Sequence, residues 1–237
     1  MKNEKIRIHF ILEGYEEEEI LFKIIKYFGN MDRIIFSYQN CKGGGLVPIY
    51  FQSAIQSDNY DLVLCVYDVD YEPFKEDGMF MKIRNGLYKV LGDDEQINLI
   101  SLCTNPNILL ILLLGYDDLS NFEKIHSDKG SNTEIIKKYC SQIGNKKRYD
   151  ASEWQLELFL NDYCYYNKAT IDKMLEQVDK LDLNYIGNKV GSNILPVIEA
   201  LVYDNIDFFM KLWKNLKFNF INKKAHLFVS FQTEVVW

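Results

Sequence analysis

Histidine is scarce. His9, His126 and His226 are the only three in 237 residues, and they are scattered. No Ser-His-Asp or Cys-His arrangement can be argued from them, so the usual nucleophilic triads find no support. His9 lies in an apolar run and reads as a core residue, and His126 reads as a loop residue. Clustered cysteine is also missing. Cys41, Cys65, Cys103, Cys140 and Cys164 form no Cys-x-x-Cys pair. An odd, unclustered set gives no zinc-site signal and points to a reducing cytoplasm. Cys65 and Cys103 sit inside apolar runs and read as buried core. No apolar run approaches the roughly 20 residues of a membrane span. The strongest, Ile108 to Leu114, reads as a core helix. Met1 to Lys5 leads straight into a strand, so no signal peptide is expected. Positive charge is not in excess: 27 Lys and Arg face 34 Asp and Glu, for a net charge of −7. That argues against a protein coated in basic charge for nucleic acid, though not against a local basic patch. No internal repeat and no low-complexity linker interrupts the chain.

Short apolar runs that stop at carboxylates are what the sequence does contain. Ile6 to Leu12 ends in Glu13-Gly14 and then Glu16, Glu17, Glu18 and Glu19. Leu62 to Tyr67 ends in Asp68-Val69-Asp70. Each reads as a buried strand of a parallel sheet with acids at its C-terminal end. Open α/β sheets place their sites at that end. If the two strands are neighbours, Glu13, Asp68 and Asp70 converge in one crevice. Crowded carboxylates repel one another, and oxygen-only ligands point to Mg²⁺ or Mn²⁺ as the remedy. The plain alternative is that these acids are solvated or cap helices.

Taken in order, the chain predicts a strand over Lys5 to Leu12 and a helix over Tyr15 to Phe28. Glutamates in the first turn of that helix suit its dipole, which is the preferred account of Glu16, Glu17 and Glu19. A second strand is expected over Arg33 to Tyr38. The run Asn40-Cys41-Lys42-Gly43-Gly44-Gly45 follows. Such a run can wrap a phosphate. It matches neither the P-loop nor the dinucleotide fingerprint, and reads rather as a flexible loop. Next come a helix over Val47 to Gln56, strand three over Asp61 to Tyr67, a polar loop to Gly78, a helix over Met79 to Leu91 and strand four over Gln96 to Cys103. Thr104-Asn105-Pro106 is expected to open a further helix, with Asn105 or Thr104 as cap and Pro106 in the first turn. Strand and helix thus alternate over residues 1–118, the α/β pattern of a parallel sheet flanked by helices. Residues 119–237 read as a mainly helical extension packed on that core. Capping boxes stand at Ser131 to Glu134 and Asp150 to Glu153, and further helices are expected over Lys168 to Leu181, Leu195 to Tyr203 and Asn205 to Leu216. Lys137, Lys138, Lys146, Lys147 and Arg148 make a basic cluster in an acidic chain. It suits the phosphate backbone of nucleic acid; the plain alternative is a solvated helix end.

An acid followed by glycine after one strand, with Asp-x-Asp after a later one, resembles the motif pair of Toprim domains, the metal-dependent catalytic domains of topoisomerases, primases and several nucleases. The stretch Thr104 to Tyr116 resembles the signature of the RloB-like family of Toprim-related proteins, where Ser-Asn-Pro precedes an apolar helix ending in Leu-Leu-Leu-His-Phe. Leu12 to Glu18 resembles that family's Thr-Glu-Gly opening, and Ile143 to Tyr149 resembles its Tyr-x-Lys-Lys step. The resemblance covers about residues 5–165, with an echo at Gly191 to Pro196. It implies a Toprim-like fold and an Mg²⁺- or Mn²⁺-dependent endonuclease in bacterial defence against phage. Some relatives work beside an ABC- or SMC-type ATPase. Glu13, Asp68 and Asp70 would then be catalytic and hold metal, with Glu18 as a further ligand; helix-dipole decoration is the alternative for Glu18. The chain departs from the pattern where Leu109 replaces an acid and Gly115 a histidine. A catalytically degenerate Toprim module, docked on such an ATPase or sensing with it, is therefore the competing expectation. Asp68-Val69-Asp70 also resembles the nucleophile motif of haloacid-dehalogenase-like phosphatases, but they carry it on their first strand and here it follows the third.

Overall fold

The computed structural model describes residues 5–18, 21, 32–57, 59–69, 74–105, 108, 183 and 191–216. Their centre is a five-stranded sheet. Strand β1 (Ile6–Leu12) is flanked by β2 (Ile34–Asn40) and β3 (Leu62–Asp68), and β4 (Ser101–Asn105) lies beyond β3. These four run parallel. The two-residue β5 (Gly191–Ser192) closes the far side antiparallel to β4. The spatial order is therefore β2-β1-β3-β4-β5.

Apolar runs explain which strands are central. All of β1 but Arg7 is buried, and all of β3 but Asp68. Strands covered on both faces have no polar face to alternate with. His9 is buried as expected, 2.7 Å from the Ser37 hydroxyl and stacked on Tyr60. Burial alone lowers its pKa. Cys65 and Cys103 are core residues, also as expected. Helix α1 opens over residues 15–18, α2 spans Val47–Ser57 and α3 spans Met79–Leu91. Buried Phe51 of α2 and Phe80, Ile83, Leu87 and Leu91 of α3 join the core.

One expectation needs correction. Gln96 to Ile100 is not strand but belongs to helix α4 (Asp94–Ile100). Asp93 caps it, accepting the Glu95 N–H at 2.9 Å, and Gln96, Ile97 and Ile100 are buried at helical spacing. The strand begins only at Ser101. Thr104 and Asn105 end β4, and the helix expected after them falls outside the described residues. Thr104 pairs with Asp68 on one side and Ser192 on the other, and Asn105 pairs with Gly191. Pro106 lies outside the described residues.

Of the later part of the chain, α5 (Leu195–Val202) and α6 (residues 206–216) are helical as expected. The Thr104 and Ser192 hydroxyls, 2.9 Å apart and buried, tie β5 to β4. Arg33 reaches across to the turn after α5, bonding the Asp204 carboxylate at 3.1 Å and the Asp204 carbonyl at 2.8 Å. No described helix is long and apolar enough to cross a membrane.

Candidate functional site

The strand order creates a switch point. The chain leaves β1 for β2 on one side, then returns to β3 on the other. In open α/β sheets the crevice beyond the carboxyl ends of two such strands is where ligands bind. Glu13 and Asp68 stand at those two ends. The Glu13 N–H donates to the Val66 carbonyl at 2.9 Å, extending the β1–β3 ladder past Leu12. Its side chain then folds across the end of β3, and Oε2 accepts the Asp68 N–H at 3.1 Å. Asp68 Oδ1 in turn accepts the Ile108 N–H at 2.9 Å. Backbone donors thus hold one oxygen of each carboxylate.

The first turn of α1 adds acids. Glu17 is buried, 3% exposed, and its Oε2 reaches back to the Gly14 N–H at 2.8 Å. An acid three residues past the cap that returns to the cap's N–H is half of a capping box. Burial pushes the Glu17 carboxyl up to about 8, helped by Glu13 and, less, by Glu16. Asp68 is also held well above the usual carboxylate range, first by burial, then by Glu17, Glu13 and Glu16. The Ile108 N–H opposes that rise. The sequence alone assigns Glu17 to dipole decoration. The signal that would have found it is its spacing: it lies four residues before Leu21, which is fully buried on the same helical face.

Glu18 turns the other way. Its Oε2 accepts from Asn40 Nδ2 at 2.5 Å, at the end of β2. Asn40 Oδ1 also accepts the Lys42 N–H at 2.8 Å. The glycine run that follows is more tied down than a free loop. Cys41 N–H donates to the Leu12 carbonyl at 2.9 Å and Gly43 N–H to the Glu13 carbonyl at 2.8 Å. Lys42 and Gly43 adopt φ of 54° and 139°, and Gly43 has no Cβ to resist it. A single 3₁₀ turn, Gly44–Leu46, then feeds α2. Beside it the Cys41 thiol is pushed up to about 12 by burial, Glu13 and Glu17, which disfavours the thiolate.

Asp70, Lys137, Lys138, Lys146, Lys147, Arg148, Leu109 and Gly115 lie outside the described residues. Among the described residues no three His, Cys, Asp or Glu side chains stand together as a metal cage. The donor set still suits a hard divalent cation. Glu13 and Asp68 offer only oxygen, and burial among like charges disfavours ionisation of Asp68, an effect that a bound cation would oppose. Mg²⁺ needs no all-protein cage: it keeps several waters and binds through one or two carboxylates plus substrate phosphate. Comparison with protein-family models, with curated proteins and with solved structures finds no match for this chain.

Proposed function

We propose that the chain is a Toprim-type nuclease that hydrolyses phosphodiester bonds of DNA, tRNA or other RNA with Mg²⁺ or Mn²⁺. The observation that supports this best is the pair Glu13 and Asp68, from adjacent parallel strands, joined at the switch point by the Asp68 N–H. Asp68 and Glu13 would hold the cation, with Asp70 two residues on along the chain. Bound there, the cation supplies Lewis-acid stabilisation of charge on the phosphate and the leaving oxygen. Glu13 orients the attacking water and accepts its proton. The Toprim resemblance adds the wider setting, an effector of antiphage defence controlled by an ABC- or SMC-type ATPase; the unclustered cysteines suit the cytoplasm, and a homo-oligomer is a further possibility.

The replacement of the family's acid and histidine at Leu109 and Gly115 favours a second reading. In it the chain is a degenerate Toprim module that docks on the ATPase, keeps the metal and does not cut. Cleavage separates the two. Plasmid DNA and total tRNA are incubated with the purified chain in Mg²⁺, in Mn²⁺ and in EDTA, alone and with an ATPase encoded beside it. Metal-dependent products are expected and name the substrate class. Intact substrates in every mixture, with metal still bound, decide for the docking module.

The basic cluster carries its own test. Charge reversal at Lys146 and Lys147 is expected to weaken nucleic-acid binding and to flatten its salt dependence. The slope of log affinity against log salt falls by about 0.9 for each duplex phosphate no longer neutralised, or about 0.7 on a single strand. Affinity and slope equal to wild type would remove the cluster from the interface.

A further inference from the structure

We propose that Gly44 is a positioning residue: its missing side chain is what allows the Glu13 carboxylate to lie across the end of β3 beside Asp68. The inference rests on the metal-site reading above and deepens it. Gly44 is buried in the 3₁₀ turn. A Cβ built on it would stand 2.9 Å from Glu13 Oε1, 2.7 Å from Met79 Cγ and 2.8 Å from Ile83 Cδ1. All three are closer than carbon tolerates, so something has to move. Glu13 Oε1 and Ile83 Cδ1 are side-chain ends, whereas Met79 Cγ lies partway along its chain, so Met79 must repack as the methyl enters. Ile83 is fully buried and Met79 packs against the same core. Glu13 stands at the strand end and is only partly buried, so its carboxylate can yield. Its retreat breaks the bond between Oε2 and the Asp68 N–H, now 3.1 Å long. The residue that sets the acid's place is thus on a different strand connection from either acid.

Backbone strain does not confuse the case. Gly43, not Gly44, holds the left-handed φ of 139°. Alanine at Gly44 therefore adds a methyl group and little else. Gly45 supplies the control: a Cβ there meets nothing within 4 Å.

The test is Mn²⁺ titration by calorimetry on the full chain, with thermal unfolding alongside. Gly44→Ala is expected to weaken Mn²⁺ binding about 10- to 100-fold, the usual cost of losing a partner that orients a metal ligand. Gly45→Ala stays within about twofold of wild type, as a site with no shared partner should. Glu13→Asp is the discriminating background. It withdraws the carboxylate from the methyl but leaves Met79 and Ile83 in its way. There Gly44→Ala is expected to cost less than about threefold in Mn²⁺ affinity while lowering the melting temperature as before, the coupling expected of contacting residues. Wild-type affinity in Gly44→Ala, or an equal loss in the Glu13→Asp background, overturns the inference and leaves the metal site standing. No Mn²⁺ binding by the wild type overturns both. If Gly44→Ala fails to fold, the comparison is made with Ile83→Val present, which removes the atom at 2.8 Å.

Discussion

Asp68→Ala is expected to abolish metal-dependent cleavage, with a loss of about a thousandfold or more. Lewis-acid stabilisation of the transition state is worth several kcal/mol, and each 1.36 kcal/mol is a factor of about ten in rate. Alanine also deletes the acceptor of the Ile108 N–H, so a structural cost accompanies the catalytic one. Asp68→Asn separates the two. Its amide oxygen still accepts from Ile108, but it brings no charge to a cation. Both variants should lose cleavage, while Asn keeps the wild-type melting temperature more closely than Ala. Single-turnover rates on the substrate identified with the wild type, with circular dichroism as the check on folding, settle it. Cleavage by folded Asp68→Asn at the wild-type rate would sink the assignment.

Asp68 and Glu13 were legible because of where they stand. An apolar run of six or seven residues that stops at an acid suits a buried strand, and the parallel reading put that acid at the carboxyl end of the sheet. What the sequence did not say is that the two strands touch. The order β2-β1-β3 supplies that, and with it the bond from the Asp68 N–H to Glu13. Helix α3 was legible to its ends, Met79 and Leu91. Its apolar residues keep helical period, and Gly78 and Gly92 bound it.

The region between Asp93 and Ile100 misled for a physical reason. Gln96-Ile97-Asn98-Leu99-Ile100 alternates polar and apolar residues almost as a strand does. The cap at Asp93 and the acids Asp94 and Glu95 in the first turn were the better guide. Strand β5 was beyond reach. Two residues have no period, and Gly191–Ser192 is a strand only because β4 offers its free edge and Thr104 its hydroxyl. Glu17 was missed because four consecutive glutamates look alike in sequence. Burial separates them: Glu17 faces the core and Glu18 faces Asn40.

That separation carries the second large effect. Glu17→Gln is expected to stabilise the metal-free protein, and to do so increasingly as pH rises. The folded carboxyl titrates near 8 against an ordinary value of 4.5. Below 4.5 both folded and unfolded forms are protonated, and the carboxyl costs nothing on this account. Between 4.5 and 8 the unfolded chain has released its proton and the folded chain has not, so stability falls as pH rises. At pH 7 that difference amounts to roughly 3 kcal/mol, at 1.36 kcal/mol per pKa unit. Glutamine keeps an oxygen for the Gly14 N–H and has no proton to lose. Its own burial takes back part of the gain, so about 2 kcal/mol is a fair expectation. In a chain of this size that raises the melting temperature by roughly 4–8 °C. The gain should disappear as pH falls and give way by pH 4.5 to a small loss of about 1 kcal/mol, the amide's burial cost alone. Thermal unfolding at pH 4.5, 7 and 8 in EDTA reads it out; an equal gain at every pH, or a loss at pH 8, would refute the role of the charge. Mn²⁺ titration of the same variant then asks what the charge is for. A protein that is more stable without Glu17 yet binds Mn²⁺ less tightly holds its acids together for the cation, at the expense of its own stability.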